Sequence, residues 1–221
     1  LEALRIWKGN TRFYQASSSE MFGDIEPLPY NESTPFHPRS PYAIAKVLAH
    51  QATRMYRDAY GIYASTGICF NHESPRRGHN FVTRKVSTAV ARISMGLQSK
   101  LVLGRLDSRR DWGFAGDYVE AMWLTLQHPE PDDFIVATGE SHSVQEFVEL
   151  AFARVGIEDW QNYVVQDKKF FRPLDVMDLC GDNSKAKTVL GWKPTIRFGE
   201  LINLMVDADL EAANAGITDP Q

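Results

Sequence analysis

The chain has 221 residues, of which 43% are hydrophobic, 24% charged and 11% aromatic, a composition that favours a globular protein with a sizeable buried core. The net charge is -4 and there is no basic run, which argues against nucleic acid as a partner. No apolar run approaches the roughly 18 residues that a membrane helix needs, so we also expect no association with a membrane.

The two cysteines, Cys69 and Cys180, lie far apart, and each sits in an apolar stretch. This pattern is typical of buried free thiols and not of a disulfide or a metal site. Because free thiols persist in reducing compartments, we expect a cytoplasmic protein.

The predicted elements begin with residues 1–9, whose leucines, isoleucine and tryptophan suggest the end of an amphipathic helix closed by a glycine. The chain starts without Met, so we expect it to be a piece of a longer protein. Residues 12–17 (RFYQAS) form a candidate strand, and a polar, proline-rich loop runs from residue 18 to residue 40.

A helix is predicted over residues 41–60, because Ser40 can cap it, Pro41 suits its first position and Gly61 suits its end. The β-rich apolar run 62–70 then predicts a strand buried on both faces. Strand, helix and strand in this order indicate an α/β protein with a parallel sheet.

The rest of the chain continues the alternation. Further helices are predicted over residues 81–95, 117–128, 144–155 and 200–213, further strands over 101–104 and 132–138, and a loop over 104–116. We expect residues 216–221 to be frayed. The chain contains no G-x-G-x-x-G turn, so it lacks the loop that binds the pyrophosphate of a dinucleotide in such folds.

Tyr42 and Lys46 lie four residues apart on the predicted helix 41–60, which puts both side chains on one face. Taken alone, this pair is better explained as a packed tyrosine ring with its hydroxyl and the lysine in water. Ser17 to Glu20 (SSSE), however, directly follow the first strand, at the edge where open α/β sheets place their ligands.

Ser18, Tyr42 and Lys46 together are a Ser/Tyr/Lys set of the kind that oxidises alcohols, and Glu20 adds an acid to it. A nearby lysine cation favours the phenolate form of a tyrosine, which can then accept a proton. Ser18 can align the substrate hydroxyl by hydrogen bonding. The alternative is that the serines and Glu20 only cap the next turn.

Several motifs carry a resemblance to a known family. The segments ASSSE, SPYAIAK, FNHESPRRG, RDWG, FFRP and LGWKP closely resemble the GDP-mannose 4,6-dehydratases, a family of extended short-chain dehydrogenases/reductases. The likeness runs nearly end to end, and Ser18 stands where that family commonly has threonine. It implies a Rossmann-like doubly wound parallel sheet, here incomplete, with a smaller, mixed α/β C-terminal substrate domain.

The resemblance also implies a domain division and a reaction. Residues 1–75 would complete an NADP-binding domain, and residues 76–221 would mainly bind the nucleotide sugar, with segment 114–140 returning to the first domain. The substrate would be GDP-mannose, oxidised at C4 with NADP, dehydrated across C5 and C6 by Glu20, and reduced at C6 by the same hydride. Tyr42, tuned by Lys46, would exchange protons with O4 and C5. The expected assembly is a homodimer or homotetramer.

Site residues follow from the resemblance position by position. The residues expected at the cofactor are Tyr42, Lys46, His72 and Arg77. Those expected at the nucleotide sugar are Ser18, Glu20, Asn71, Arg84, Lys85, Arg110, Arg172 and Asp175. Without the resemblance, the histidine is equally well a loop residue and the arginines are equally well solvated. The stripe Trp123, Phe147 and Phe152 is expected in the core.

Two alternatives stay open. A related epimerase or reductase would use Tyr42 and Lys46 but would have no task for Glu20. The second alternative is a non-catalytic protein that binds a nucleotide sugar, and the absence of the glycine-rich turn from the chain supports it.

Overall fold

The computed structural model describes residues 1–7, 9–171, 174 and 176–216. Its α-helices are α1 Glu2–Trp7, α2 Pro41–Tyr60, α3 Val82–Ser94, α4 Ala115–Gln127, α5 Val144–Arg154, α6 Ser184–Val189 and α7 Phe198–Asn214. Its strands are β1 Phe13–Ser18, β2 Ala64–Cys69, β3 Asn71–Glu73, β4 Leu101–Leu103, β5 Arg109–Arg110, β6 Trp112–Phe114, β7 Asp133–Val136, β8 His142–Ser143 and β9 Val164–Gln166.

The main sheet has three parallel strands in the order β1-β2-β7. All six residues of β2 are buried, because the sheet is covered on both faces. Ile68 packs in a cluster with Met21 and Phe22, whereas its neighbour Cys69 packs with Tyr118 of α4. Since successive side chains point to opposite faces of a sheet, α4 covers one face, and the loop after β1 together with α2 covers the other.

A second apolar core lies where α3, α5 and α7 pack together with β4. Val86, Phe147 and Met205 come from the three helices, and each is fully or almost fully buried. Two short pairs flank this core: β4 pairs with β9 in parallel, and β5 pairs with β8 in antiparallel orientation. β3 pairs with β6 in parallel and follows directly from β2.

The structure confirms most predicted elements. The helix predicted over residues 41–60 is α2, which Ser40 caps through a 3.1 Å hydrogen bond from the Ala43 amide; it ends at Gly61 in the left-handed conformation with φ of 63°. The strand predicted over 62–70 is β2, and the fold class is α/β with a parallel sheet. Residues 217–221, predicted to be frayed, lie outside the described residues.

Three predictions differ from the structure. The loop predicted over residues 104–116 contains β5 and β6, and β3, β8, β9 and α6 had no predicted counterpart. Trp123 was expected in the core, but 60% of its surface is exposed, whereas Phe147 and Phe152 are buried as predicted. Cys69 is a buried free thiol as predicted, whereas Cys180 is free but only half-buried. Among the described residues, no helix has the length and apolarity required to cross a membrane.

Candidate active site

The carboxyl end of β1 leads directly into a single 3₁₀ turn, Ser19–Met21, that contains Glu20. The Ser18 hydroxyl caps this turn by accepting a 3.3 Å hydrogen bond from the Glu20 amide. Ser17, Ser18 and Ser19 are all buried, and Glu20 is half-buried. The end of β1 and the turn after it therefore hold the Ser18 hydroxyl and the Glu20 carboxylate at the carboxyl end of the sheet, where the predicted site lies.

The first two turns of α2 pack against this strand end. The Lys46 ammonium donates a 2.8 Å hydrogen bond to the carbonyl of Ala16, two residues before Ser18. It also lies 5.6 Å from the ring centroid of Tyr42, whose side chain is 55% exposed. The structure thus places Lys46 beside the end of β1, and Tyr42 lies about one helical turn before it on α2.

Asn71 and His72 lie at the same edge of the sheet. Ser18 is in register with Cys69, the last residue of β2, so β3 continues beyond the point where β1 ends. The His72 Nδ1–H donates to the carbonyl of Phe70 at 2.9 Å, and the ring stacks on Tyr118 with centroids 5.0 Å apart. These contacts fix the imidazole plane close to the strand ends.

Arg77 is held by two neighbours. Its Nε lies 3.2 Å from an oxygen of Glu73, and its guanidinium lies 3.5 Å from the ring centroid of Phe81. The Glu73 side chain is almost completely buried and accepts a 2.5 Å hydrogen bond from Thr83. Burial raises the pKa of the Glu73 carboxyl, although Arg77 and the Thr83 hydroxyl oppose that shift.

Arg84 and Lys85 line a separate cleft between α3, α7 and β4. Its volume is about 610 Å³, and its lining includes five basic residues and one acid, His79, Arg84, Lys85, Arg92, Lys100 and Asp209. Arg84 pairs with Asp209 at 2.8 Å and also donates to the carbonyl of Pro75. The Lys85 ammonium lies 4.4 Å from the ring centroid of Phe170, and burial lowers its pKa.

The remaining predicted residues are farther along the chain. Arg110 lies in β5, donates a 2.7 Å hydrogen bond to the Arg109 carbonyl and is in register with His142 of β8. Arg172 and Asp175 lie outside the described residues. The structure therefore places Lys46 beside the strand end that leads to Ser18 and Glu20, with Tyr42 on the same helix, and it puts Arg84 and Lys85 in a second cleft.

Sequence reasoning missed several groups that the structure brings to these sites. Arg92 and Lys100 add charge to the cleft; Arg92 is eight residues after Arg84 on α3, a helical spacing that could have indicated the shared face. Glu73 has no sequence signal beyond its place in FNHESPRRG. No cluster of three or more metal-ligating side chains occurs among the residues that the structure describes.

A sequence profile described as "GDP-mannose 4,6 dehydratase" matches residues 1–205. The chain belongs to the GDP-mannose 4,6-dehydratase family. It is 58% identical over 217 residues to "GDP-mannose 4,6 dehydratase 1" of Arabidopsis thaliana, covering 95% of this chain and 60% of that protein. With the human GDP-mannose 4,6 dehydratase the identity is 50% over 218 residues, covering 91% of this chain and 59% of that protein.

The family assignment agrees with the fold. A solved structure titled as RMD from Pseudomonas aeruginosa complexed with NADPH superposes with a TM-score of 0.86 at 26% identity, covering 95% of this chain and 70% of that one. The chain spans about 60% of the length of these two dehydratases. The end of β1 with Ser18 and Glu20, together with the start of α2 with Tyr42 and Lys46, is the candidate site.

Proposed function

We propose that the protein containing this chain is a lyase that converts GDP-mannose to GDP-4-keto-6-deoxy-mannose. The observation that supports this most strongly is the contact between Lys46 and the Ala16 carbonyl. It joins the helix that carries a phenol and an ammonium to the strand end that carries a hydroxyl and a carboxylate. An alcohol oxidation alone needs the first three groups, and the carboxylate of Glu20 gives the site a second base for an elimination.

The residues would act in sequence on one hexose ring. Tyr42 takes the proton of the O4 hydroxyl as C4 is oxidised, and the Ser18 hydroxyl donates a hydrogen bond to the resulting carbonyl. The ketone acidifies the C5 proton, which Glu20 removes. Glu20 then returns a proton to the C6 hydroxyl, which departs as water, and Tyr42 finally protonates C5. The balance is the loss of one water molecule.

The cofactor proposed for this chain is NADP, which Tyr42, Lys46, His72 and Arg77 would contact, with Lys46 at the nicotinamide ribose. NADP, when bound, accepts the hydride from C4 and supplies it again to C6. The side chains suit this role: an ammonium has three donors and Lys46 uses one of them on Ala16, which leaves two for ribose hydroxyls. His72 is fixed by Phe70 and Tyr118 at the same sheet edge.

For the nucleotide part of the substrate we propose Asn71, Arg84, Lys85, Arg110, Arg172 and Asp175. The charge of the cleft supports this assignment for Arg84 and Lys85, because its lining carries four cationic side chains against one carboxylate, and a diphosphate is drawn to such a surface. We further propose that residues 1–75 with segment 114–140 form the cofactor side, and that the rest of 76–221 forms the sugar side. The separate apolar core of α3, α5 and α7 supports that division.

The proposal extends to assembly and location. A homodimer or homotetramer is supported by the outward face of α2, where Ile44, Leu48 and Met55 are each at least half exposed and Leu48 is 71% exposed. Exposed apolar side chains of this kind are typical of surfaces that bind another subunit. A cytoplasmic location is supported by the two free cysteines. Light scattering on the purified protein tests the first of these proposals, and a result of one subunit contradicts it.

The test is to incubate the intact protein that contains this chain with GDP-mannose in D₂O and to analyse the product by mass spectrometry. We expect a product that has lost one water and gained one deuterium at C5, with no net reduction of added NADP. An unchanged mass would indicate an epimerase, and steady consumption of NADPH would indicate a reductase; either contradicts the proposal.

Replacing Glu20 separates the same possibilities within the site. In Glu20→Gln the amide cannot accept the C5 proton, so we expect elimination to fall by about 100-fold or more while C4 oxidation continues. The expected signature is accumulation of NADPH absorbance on the enzyme. An epimerase or reductase would lose little activity, because the other three groups remain.

A further inference from the structure

We propose that Ser17 and His50 form a positioning pair that sets the strand end carrying Ser18 and Glu20 against the helix carrying Tyr42 and Lys46. The two side chains share a 2.9 Å hydrogen bond between the Ser17 hydroxyl and His50 Nδ1. Both are buried, at 3% and 1% exposure. The effect of this pair on catalysis rests on the proposed function, whereas its effect on the position of the strand end rests on the structure alone.

The first step of the argument is the division of the proposed catalytic groups between two elements. Ser18 and Glu20 belong to β1 and its 3₁₀ turn, whereas Tyr42 and Lys46 belong to α2. Residues 22–40, which contain no helix or strand, separate the two elements along the chain. Local structure therefore cannot fix the distance between the groups, and contacts between β1 and α2 must do so.

The second step is that two polar contacts join these elements at consecutive strand residues. Lys46 donates to the Ala16 carbonyl, and His50, one helical turn later, meets the Ser17 hydroxyl. The strand residues involved are the last two before Ser18. The Ser17–His50 bond is thus a second polar contact, besides that of Lys46, that keeps α2 in register with β1.

The third step concerns the surroundings of the imidazole. The Phe36 ring meets the His50 ring edge-on, with centroids 5.0 Å apart, and also packs 5.4 Å from Phe22. Phe22 is completely buried two residues after Glu20. The ring of His50 thus touches both the strand before the turn and the aromatic cluster after it, so its removal loosens the turn from both sides.

A neutral imidazole suits this role. Burial lowers the pKa of His50 to about 4, so at neutral pH the ring carries no charge and Nδ1 can accept a hydrogen bond from the Ser17 hydroxyl. No proton transfer to substrate is required of it. The pair is a positioning device because neither residue belongs to the proposed set of catalytic groups.

The test compares four variants of the intact protein: His50→Leu, which keeps bulk but removes Nδ1; His50→Asn, whose side-chain oxygen can replace it; Ser17→Ala; and Thr53→Val. Thr53 is equally buried on α2, but its hydroxyl bonds only within the helix, to Ala49, which makes it the matched control. We expect kcat to fall by about 10- to 100-fold in His50→Leu and Ser17→Ala, with KM for GDP-mannose little changed.

The double variant Ser17→Ala/His50→Leu should be no slower than the slower single variant, because both substitutions remove the same bond. His50→Asn should recover part of the lost kcat. A purely structural role predicts instead that Thr53→Val, Ser17→Ala and His50→Leu all lower stability and the fraction of active protein. It predicts neither the recovery of kcat in His50→Asn nor a double variant that is no slower than the slower single variant.

Hydrogen exchange gives a second readout that does not depend on activity. We expect the amides of residues 18–22 to exchange about tenfold faster in His50→Leu and Ser17→Ala than in the wild type and Thr53→Val. Unchanged exchange overturns the proposal, and so does unchanged kcat in an active enzyme. If the wild type makes no dehydrated product, the proposed function fails, whereas faster exchange still supports the positioning pair.

Discussion

Asp133→Asn should destabilise the protein strongly, because Asp133 anchors the far end of α2 to the sheet. Its two oxygens accept hydrogen bonds of 3.0 and 2.9 Å from the guanidinium of Arg57, and one of them also accepts a 2.8 Å bond from Thr66. Asp133 is 8% exposed. The arginine comes from the last turn of α2 and the aspartate begins β7, so this pair joins helix and sheet.

The magnitude follows from what the amide leaves behind. Asparagine keeps one oxygen for Thr66, but its NH₂ group faces an arginine N–H and leaves the partly buried Arg57 cation without its counter-charge. Removing one partner of a buried ion pair costs about 3–5 kcal/mol. Arg57 retains the Ala64 carbonyl at 3.1 Å and Asp58 at 3.6 Å, so we expect a loss near the lower end, about 3 kcal/mol.

The assay is thermal unfolding of the intact protein followed by circular dichroism, with Asp58→Asn as the matched control. Asp58 contacts the same arginine but is exposed, so its removal should cost under about 1 kcal/mol. At about 2–4 °C per kcal/mol, Asp133→Asn should lower the midpoint by at least about 6 °C. Midpoints that agree within about 2 °C for the two variants would refute the reasoning.

The same pair predicts a pH dependence. The pKa of Asp133 is lowered overall: burial raises it, but the hydrogen bonds and charge of Arg57 outweigh that effect. A carboxyl with a lowered folded-state pKa stabilises the protein above its ordinary value of about 3.9, and this stability is lost as the pH falls through the folded value. The difference between wild type and Asp133→Asn should therefore shrink below about pH 4.

Two further predictions concern single side chains. The pKa of His50 is lowered to about 4 by burial and by Arg54 and Arg57, which outweigh the charge of Asp133. The folded state should therefore lose stability as the pH falls from about 6.5 to 4, by about 1–2 kcal/mol at pH 5. Thermal midpoints at pH 7 and pH 5 should show this loss in the wild type and not in His50→Leu, and equal losses would contradict the prediction. Lys85→Met should raise KM for GDP-mannose about tenfold with kcat little changed. The control is Lys187→Met, at an exposed lysine of α6, which should change neither constant. Equal steady-state kinetics for the two variants would contradict a role of Lys85 in substrate binding.

The sequence predicts those elements whose signals are local. α2 has a capping serine, a proline at its first position and a glycine at its end, and the structure places its bounds at Pro41–Tyr60 as predicted. The apolar run of β2 likewise predicts a strand covered on both faces, and all six residues are buried. In both cases, residues within or next to the element determine its conformation.

The missed elements depend on distant partners. β5 has two residues, both arginines, and exists because it pairs with β8 more than thirty residues later. β3 is three residues long and pairs with β6. Neither has an alternating pattern long enough to be recognised. Trp123 shows the converse error: its apolar character predicts burial, yet the face of α4 that carries it does not pack against the sheet in this chain.

The candidate site divides in the same way. The spacing of Tyr42 and Lys46 is a property of one helix and can be read from the sequence, whereas their distance to Glu20 depends on how α2 lies across β1. Three polar contacts determine that position: Lys46 with Ala16, His50 with Ser17, and Arg57 with Asp133. They are spaced four and seven residues apart along α2, a separation that returns to the same face of a helix. One face of α2 therefore both carries the proposed proton acceptor and binds the sheet, so a shift of this helix would move Tyr42 and Lys46 together relative to Glu20.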